Sequence, residues 1–416
     1  MNGGEDPAQG CAILLIATLD TKAEEALYLK KRLESLGCGV LLMDTGILEE
    51  SGTPADVTRH QVADAGGATI PGLLASGDKG KAIGTMLRGA CLLARELYDN
   101  GRYRGVLAIG GAQGTDIGTA VMRGLPFGVP KFMVSTVASG RATFGPFVGT
   151  KDITIMHSVA DIQGINFITQ RVFDNAAAAV CGMVKHAADV GYEPSARMPV
   201  ALSMLGTVTQ GAMKAKRLLA EKGYDAVAFH QNGTGGIAME DLIREGAFKG
   251  VLDLNLHELG DSVAGGLHAS IRDYRLLSAG ELGLPQVVAP GSINYAVRGP
   301  VETLPPELLR RKYIVHNSLL TLVRLSGEEL EKTAVLMAER LNRATGPTHV
   351  FIPLRGFSYP DHEGRAHWDP EANGLFIRAL RSRLSGAILY DEIDAHINDE
   401  AFIAALVDEL VHFMDR

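Results

Sequence analysis

Along the chain, runs that are apolar at every position alternate with longer stretches of helical period. Ala12–Ala17 (AILLIA) is apolar throughout, as a strand must be when a parallel sheet is covered on both faces. The run breaks at Thr18–Thr21, a helical pattern follows from Lys22 to Leu36, and Gly37 ends it. Val40–Met43 reads as a second strand running into an Asp44-Thr45-Gly46 turn. A helix is expected over Lys79–Tyr98, with strands at Val106–Ile109 and Lys131–Val134. After the polar, turn-rich GYEPSARM segment, Pro199 opens a new apolar run and the alternation restarts. Strands are expected at 200–205, 226–229, 250–254, 286–289, 350–353 and 387–390, with helices over 211–222, 237–245, 327–343, 371–384 and from Asp399. Strands alternating with helices predict an α/β protein with doubly wound, mostly parallel sheets. The expected domains are 1–195 and 196–416, with a ligand cleft between them.

Size and charge narrow this picture. A chain of 416 residues exceeds what one core normally holds, and 46% hydrophobic content is ordinary for a globular protein. The 40 basic and 48 acidic residues are interspersed, which argues against nucleic acid as a partner. An anionic small ligand stays open, because backbone amides can supply local positive potential. The apolar runs are strand-sized, the polar N-terminal residues carry no signal pattern, and Cys11, Cys38, Cys91 and Cys181 form no C-x-x-C pair. No membrane, no structural metal and a cytoplasmic location with reduced thiols are expected.

Candidate chemistry gathers at strand ends. Gly110-Gly111-Ala112-Gln113-Gly114-Thr115 lies between a strand and a helix rich in small residues. Glycines there let amides approach a phosphate, and the helix start adds unpaired donors. Thr115 could cap the helix or give its hydroxyl to a phosphate, and a tight turn explains the same residues. Gly233-Thr234-Gly235-Gly236 repeats the arrangement in the second half, so both loops are expected to line the cleft. Thr18, Asp20, Thr21 and Lys22 at the first strand end, and Ser135, Thr136, Ser139 and Gly140 after the fourth, read either as ligand contacts or as caps. Standard signatures fail. Ala75 and Ala82 break a Walker loop around Gly80-Lys81, Asp261 replaces the second histidine of a zincin helix begun by His257-Glu258, and no G-x-G-x-x-G follows a strand. Asp253, His257, Glu258 and Asp261 form an acid-rich group that metal binding, a general base or simple capping would explain. His230 and His316 are further proton-transfer or phosphate-contact candidates. Asp361, His362, His367 and Asp369 share a polar loop with weak metal-binding character.

These blocks together resemble the Tm-1-like ATP-binding family. Ile16–Lys22 with Glu24-Glu25 is similar to its I-G-T-x-D-T-K-x-E-E opening. GGAQGT, GVPKFMVSTVASG, YEPSARM, FHQNGTGGIAMEDLI, GVLDLNLHEL and RKYIVHN follow in the family's order across the chain. The resemblance implies two Rossmann-like domains, ATP as ligand with Mg2+ accompanying it, and a homodimer; it implies no reaction. Ala17, Gln113-Gly114 and Asn255 depart from the family pattern.

Three readings stand. The first is a nucleotide (ATP-like) binding protein whose site comprises the Thr18–Lys22, Gly110–Thr115 and Ser135–Gly140 loops, with the His230–Gly236 loop, including Gly233, Gly235 and Gly236, closing over the ligand or receiving a second substrate. The second is a cleft enzyme acting on a carboxylate or nucleotide-sugar substrate, with His230, Glu258 and His316 as acid/base groups. The third is an interaction protein regulated by its ligand.

Overall fold

The computed structural model describes residues 11–138, 145–189 and 198–416, so the expected domain junction at 195 lies outside the described residues. The chain divides into two compact units, Met1–Tyr192 and Glu193–Arg416. Among the described residues no helix is long and apolar enough to cross a membrane.

In the first unit β1 (Ile13–Ala17), β2 (Val40–Asp44), β3 (Gly105–Gly110), β4 (Lys131–Ser135) and β5 (Thr154–His157) form one sheet in the order β2-β1-β3-β4-β5. Every pairing is parallel. The unbroken apolar run of β1 has a simple cause. Successive side chains point to opposite faces, and both faces are covered. Leu14 and Ile16 enter a core with Leu73, Met86 and Ile117. Ile13, Leu15 and Ala17 enter another with Leu29, Leu33 and Phe173. Helices Lys79–Asp99 and Ala112–Arg123 therefore cover one face, and Leu19–Ser35 and Phe167–Asp189 the other. The first of these helices starts at Leu19, three residues earlier than its pattern suggests, with non-helical backbone at Lys22. β5 and the Phe167–Asp189 helix were not apparent from the sequence pattern.

The second unit repeats the plan. β6 (Met198–Met204), β7 (Tyr224–His230), β8 (Gly250–Asn255) and β9 (Gln286–Gly291) come first. β10 (Tyr295–Arg298), β11 (Tyr313–Val315) and β12 (Thr321–Arg324) follow, then β13 (Thr348–Pro353) and β14 (Leu389–Ile393). The large sheet runs β14-β13-β9-β8-β6-β7, all parallel. Counted within each unit, both large sheets have the order 2-1-3-4-5, the second with one strand more. Helices Thr209–Glu221 and Glu400–Met414 pack on one face. His257–Ala264, Gly327–Leu341 and Pro370–Arg381 pack on the other. The antiparallel sheet β10-β12-β11 is an insertion between β9 and β13 that the sequence pattern did not reveal.

A charged knot lies inside this unit. Arg275, fully buried, donates from Nη1 and Nη2 to both carboxylate oxygens of Asp253 at 2.6 and 2.9 Å. Glu240 stands 3.3 Å from its Nη1 and Glu258 3.6 Å from its Nε. Glu240 also accepts the amides of Leu276 and Ser278, which fixes the turn carrying Arg275. Burial pushes both glutamates above the usual carboxylate range while the guanidinium pulls them back. Removing one partner of such a buried set leaves uncompensated charge. Arg275→Met is therefore expected to lower stability by about 3–5 kcal/mol in urea unfolding near neutral pH. The deficit should shrink as pH falls and the stranded carboxylates take up protons. A loss independent of pH would show that lost packing, not lost charge, is responsible.

Candidate functional site

The first unit holds a cavity of about 580 Å3 at the carboxyl ends of β1 and β3. These strands are neighbours, yet the helices that follow them go to opposite faces of the sheet. That divergence opens a crevice, the place where open α/β sheets bind ligands. Two helix starts border it. Thr18 and Gly111 are the N-cap residues, and neither makes a side-chain capping bond, but Asp44 Oδ1 accepts the Leu19 amide at 3.0 Å, so only the Ala112 start is open. The first-turn amides of Ala112, Gln113 and Gly114 thus have no acceptor within their helix, and these residues line the cavity. The third helix start on the wall, at Lys79, is capped by Asp78, whose Oδ1 accepts the Lys81 amide at 2.9 Å. Lys22 is half-buried at the break in its helix and also lines the cavity.

Several expected contacts belong instead to the scaffold. Asp20 Oδ2 accepts the amides of Ile47 and Leu48 at 2.8 and 2.9 Å, tying down the loop after β2. Thr18 and Thr21 pair through their hydroxyls at 3.2 Å while remaining on the cavity wall. Thr115 is fully buried within the helix, its Oγ1 2.7 Å from Ser135 Oγ, so neither hydroxyl faces a ligand and Thr115 caps nothing. Thr136 gives its amide to Gly110 O at 3.2 Å and does not line the cavity. Ser139 and Gly140 lie outside the described residues. Gly110 and Gly114 are glycines for a steric reason. A Cβ on Gly110 would sit 2.7 Å from Gly114 Cα, and one on Gly114 would sit 2.9 Å from Ile109 O. Gly111 alone has ordinary room, with its nearest neighbour at 3.7 Å.

The second glycine loop is corrected more sharply. It follows β7, the second strand of its unit, whereas Gly110–Thr115 follows the third, so the two loops are not equivalent. Gly233 and Gly236 donate their amides to Glu258 Oε1 at 2.8 and 3.2 Å. A Cβ on Gly236 would lie 1.8 Å from Glu258 Oε2, and one on Gly235 would lie 1.8 Å from His230 O. A carboxylate of the chain itself occupies the place an anion was expected to take. Glu258, fully buried beside Arg275, also lacks the access that acid/base work requires.

His230 and His316 do come together, on the wall of a cavity of about 910 Å3 lined wholly from the second unit. Thr207, His268, Tyr295 and Arg365 share that wall. His268 is the residue that sequence reasoning missed. Its Nδ1 lies 3.2 Å from Nε2 of the fully buried His257, whose own Nδ1 lies 3.2 Å from Ser292 O. Asp261 accepts the amides of His268 and Val297, both at 2.6 Å. Burial pushes Asp261 up to about 6 and pushes His257 down to about 3, the latter with His268 contributing. Burial and then His230 hold His268 below its usual range. Hydroxyls form a second line: Asn255 Nδ2 donates to Ser292 Oγ at 2.8 Å, Ser292 Oγ is 2.7 Å from Thr207 Oγ1, and Thr207 Oγ1 is 2.9 Å from Tyr295 Oη. The acid-rich group near residue 257 is thereby split, Asp253 and Glu258 going to Arg275, His257 and Asp261 to His268. The 361–369 loop is likewise dispersed. Asp361 accepts from Phe357 N and Asn373 Nδ2, and Asp369 caps the Pro370–Arg381 helix. Among the described residues no group of three or more His, Cys, Asp or Glu side chains is placed to hold a metal ion.

Comparison with known proteins places this geometry in a family. Residues 11–189 match the Uncharacterised protein family (UPF0261) N-terminal domain, and residues 197–414 match the C-terminal domain of the same family. A UPF0261 protein of Clostridium tetani is 38% identical over 406 residues, covering 97% of this chain and 99% of that protein. The ToMV resistance protein Tm-1(GCR237) of Solanum lycopersicum is 33% identical over 431 residues, covering 97% of this chain and 56% of the tomato protein. Among solved structures, the glycosyltransferase SsfS6 of Streptomyces sp. SF2575 covers 97% of this chain and 96% of its own at 12% identity. Its TM-score of 0.22 gives that likeness no weight here. With both halves matched and relatives aligned along nearly its whole length, the chain belongs to the UPF0261 family, in which the tomato Tm-1 proteins are its relatives.

Proposed function

We propose that the first unit is a nucleotide-binding module that holds the polyphosphate of an ATP-like ligand at the β1/β3 crevice. The observation that carries this reading is the uncapped helix start after Gly111, which meets Lys22 on one cavity at the sheet's switch point. The helix start at Ala112 carries roughly half a positive charge together with unpaired amides, and anions bind at such ends for that reason. Amides of Ala112, Gln113 and Gly114 would receive phosphate oxygens, and Lys22 would add a full charge. A volume of about 580 Å3 lies in the range of small-molecule sites. With Asp20 and Asp78 both bonded to backbone amides, Mg2+ would be held chiefly by the ligand's own phosphates. The reading is one of binding, and no step of ATP chemistry is assigned to these residues.

Calorimetric titration with ATP, ADP and inorganic phosphate tests it. At least one nucleotide should bind more tightly than about 1 mM. Ala112 is exposed in the first helical turn, where a carboxylate favours the helix but repels phosphate. Ala112→Glu should therefore weaken binding by about tenfold or more while leaving thermal stability unchanged or slightly raised. Equal affinity in this variant would move the site elsewhere.

A separate titration isolates the lysine. Lys22→Ala should weaken binding several-fold and flatten its dependence on salt, since screening acts on the charge that was removed. An unchanged salt dependence would mean that Lys22 does not face the phosphates.

A further inference from the structure

The second unit's cavity carries groups that the nucleotide reading does not use. We infer that it is a separate ligand site in which His268 Nε2 takes a proton from the carbon next to the carbonyl of a small oxo acid. Ser292 O can only accept, so His257 Nδ1 carries a hydrogen. Neutral His257 then has a bare Nε2, and His268 Nδ1 must donate to it. That leaves His268 Nε2 as an unprotonated nitrogen. It has no protein partner among the described residues, and its ring is on the cavity wall.

The support behind His268 is rigid. Asp261 holds its backbone amide, and a Cβ on Gly266 would come within 2.2 Å of Asp261 Oδ1, so the turn and the carboxylate are packed against each other. Asp261 Oδ1 also stands 3.6 Å from His257 Nε2. When His268 gains a proton, the positive charge it spreads toward His257 meets a carboxylate. His257 and Asp261 are thus positioning residues, and His268 is the catalytic candidate.

The wall defines the ligand class. It contains Arg365 and three histidines and no carboxylate. Arg365 lies over the Tyr359 ring at 5.0 Å and has no carboxylate within ion-pair distance among the described residues, so its charge is available to an acid. Thr207 and Tyr295 offer hydroxyls for a carbonyl oxygen, while Leu205, Val297, Ile314 and Leu322 suit a carbon body. In the step inferred, the C–H bond breaks, its electron pair remains on the ligand as an enolate, and the proton resides on Nε2. Return of a proton to carbon restores the acid, so no oxidant or reductant is needed.

The full chain is incubated with pyruvate or 2-oxoglutarate in D2O, and deuterium entering the carbon next to the carbonyl is followed by proton NMR. At least one acid should exchange about tenfold or more faster than in buffer, a conservative share of what a positioned base supplies. His268→Gln should return exchange to the buffer rate. Arg365→Ala should raise the concentration giving half-maximal exchange with little change in the maximal rate. His257→Gln should lower the rate and displace its pH profile, which a purely structural loss would not do. Nitrogen NMR of the unliganded wild-type chain guards against a misfolded variant by reporting the tautomer directly. Failure of both acids to exchange, equal exchange in His268→Gln, or an Nε2–H tautomer at His268 would each overturn the inference.

Discussion

In a parallel sheet, two neighbouring strands whose following helices leave on opposite faces cannot close the gap between them with side chains of either helix. The 2-1-3-4-5 order places such a gap between the first and third strands of each unit. In the first unit much of the local sequence serves this opening. β1 and β3 are apolar on both faces because both are covered. Gly110 and Gly114 let the end of β3 touch the helix that follows it, which sets where that helix's free amides lie. Asp20 anchors the loop after β2 through Ile47 and Leu48, which stand on the cavity wall. The crevice is thus a consequence of strand order, and the residues around it mainly hold its rims apart at a fixed width.

The second unit has the same strand order and distributes negative charge differently. Glu258 reaches the amides of Gly233 and Gly236 from within, and Arg275 balances it together with Asp253 and Glu240. An ion set of this kind is costly to desolvate and tolerable only when its hydrogen bonds are nearly complete. Here backbone amides from two separate turns supply several of them, while Glu258 Oε2 and Arg275 Nε, 3.6 Å apart, make no hydrogen bond. The amides of Gly233 and Gly236 that look made for a phosphate are therefore turned into the unit's interior.

That contrast shows what the sequence made legible. Apolar runs placed the main parallel strands from β1 to β14 except β5, because burial on both faces leaves a composition that is hard to mistake. The strand–glycine–helix pattern was ambiguous, since a glycine needed for chain contact, as at Gly110 and Gly236, has the same letter as one needed for a ligand. Thr115 and Ser135 looked like ligand hydroxyls, and only the pairing of β3 with β4 shows that they satisfy each other. His268 gave no signal. Its partner, the carbonyl that fixes that partner and the carboxylate that holds its amide come from residues 257, 292 and 261, joined by a turn at Gly265-Gly266 and the strand end at Gly291. The β10–β12 sheet that walls the same cavity was hidden for a related reason: its strands are three or four residues long, below the span over which alternation becomes readable.

The two cavities differ in the physical origin of their positive potential. Peptide dipoles at the crevice of the first unit are fixed in direction and do not titrate, so their attraction for an anion is the same across the physiological pH range. The histidine wall of the second unit has little permanent charge beyond Arg365, and its character depends on where protons reside. Fixed dipoles suit a guest that is always charged and needs only to be held. A ring with one nitrogen engaged and the other open suits a guest whose charge changes while it is bound. Burial of His257 strengthens that distinction, because a neutral partner leaves the proton at His268 the one free to move.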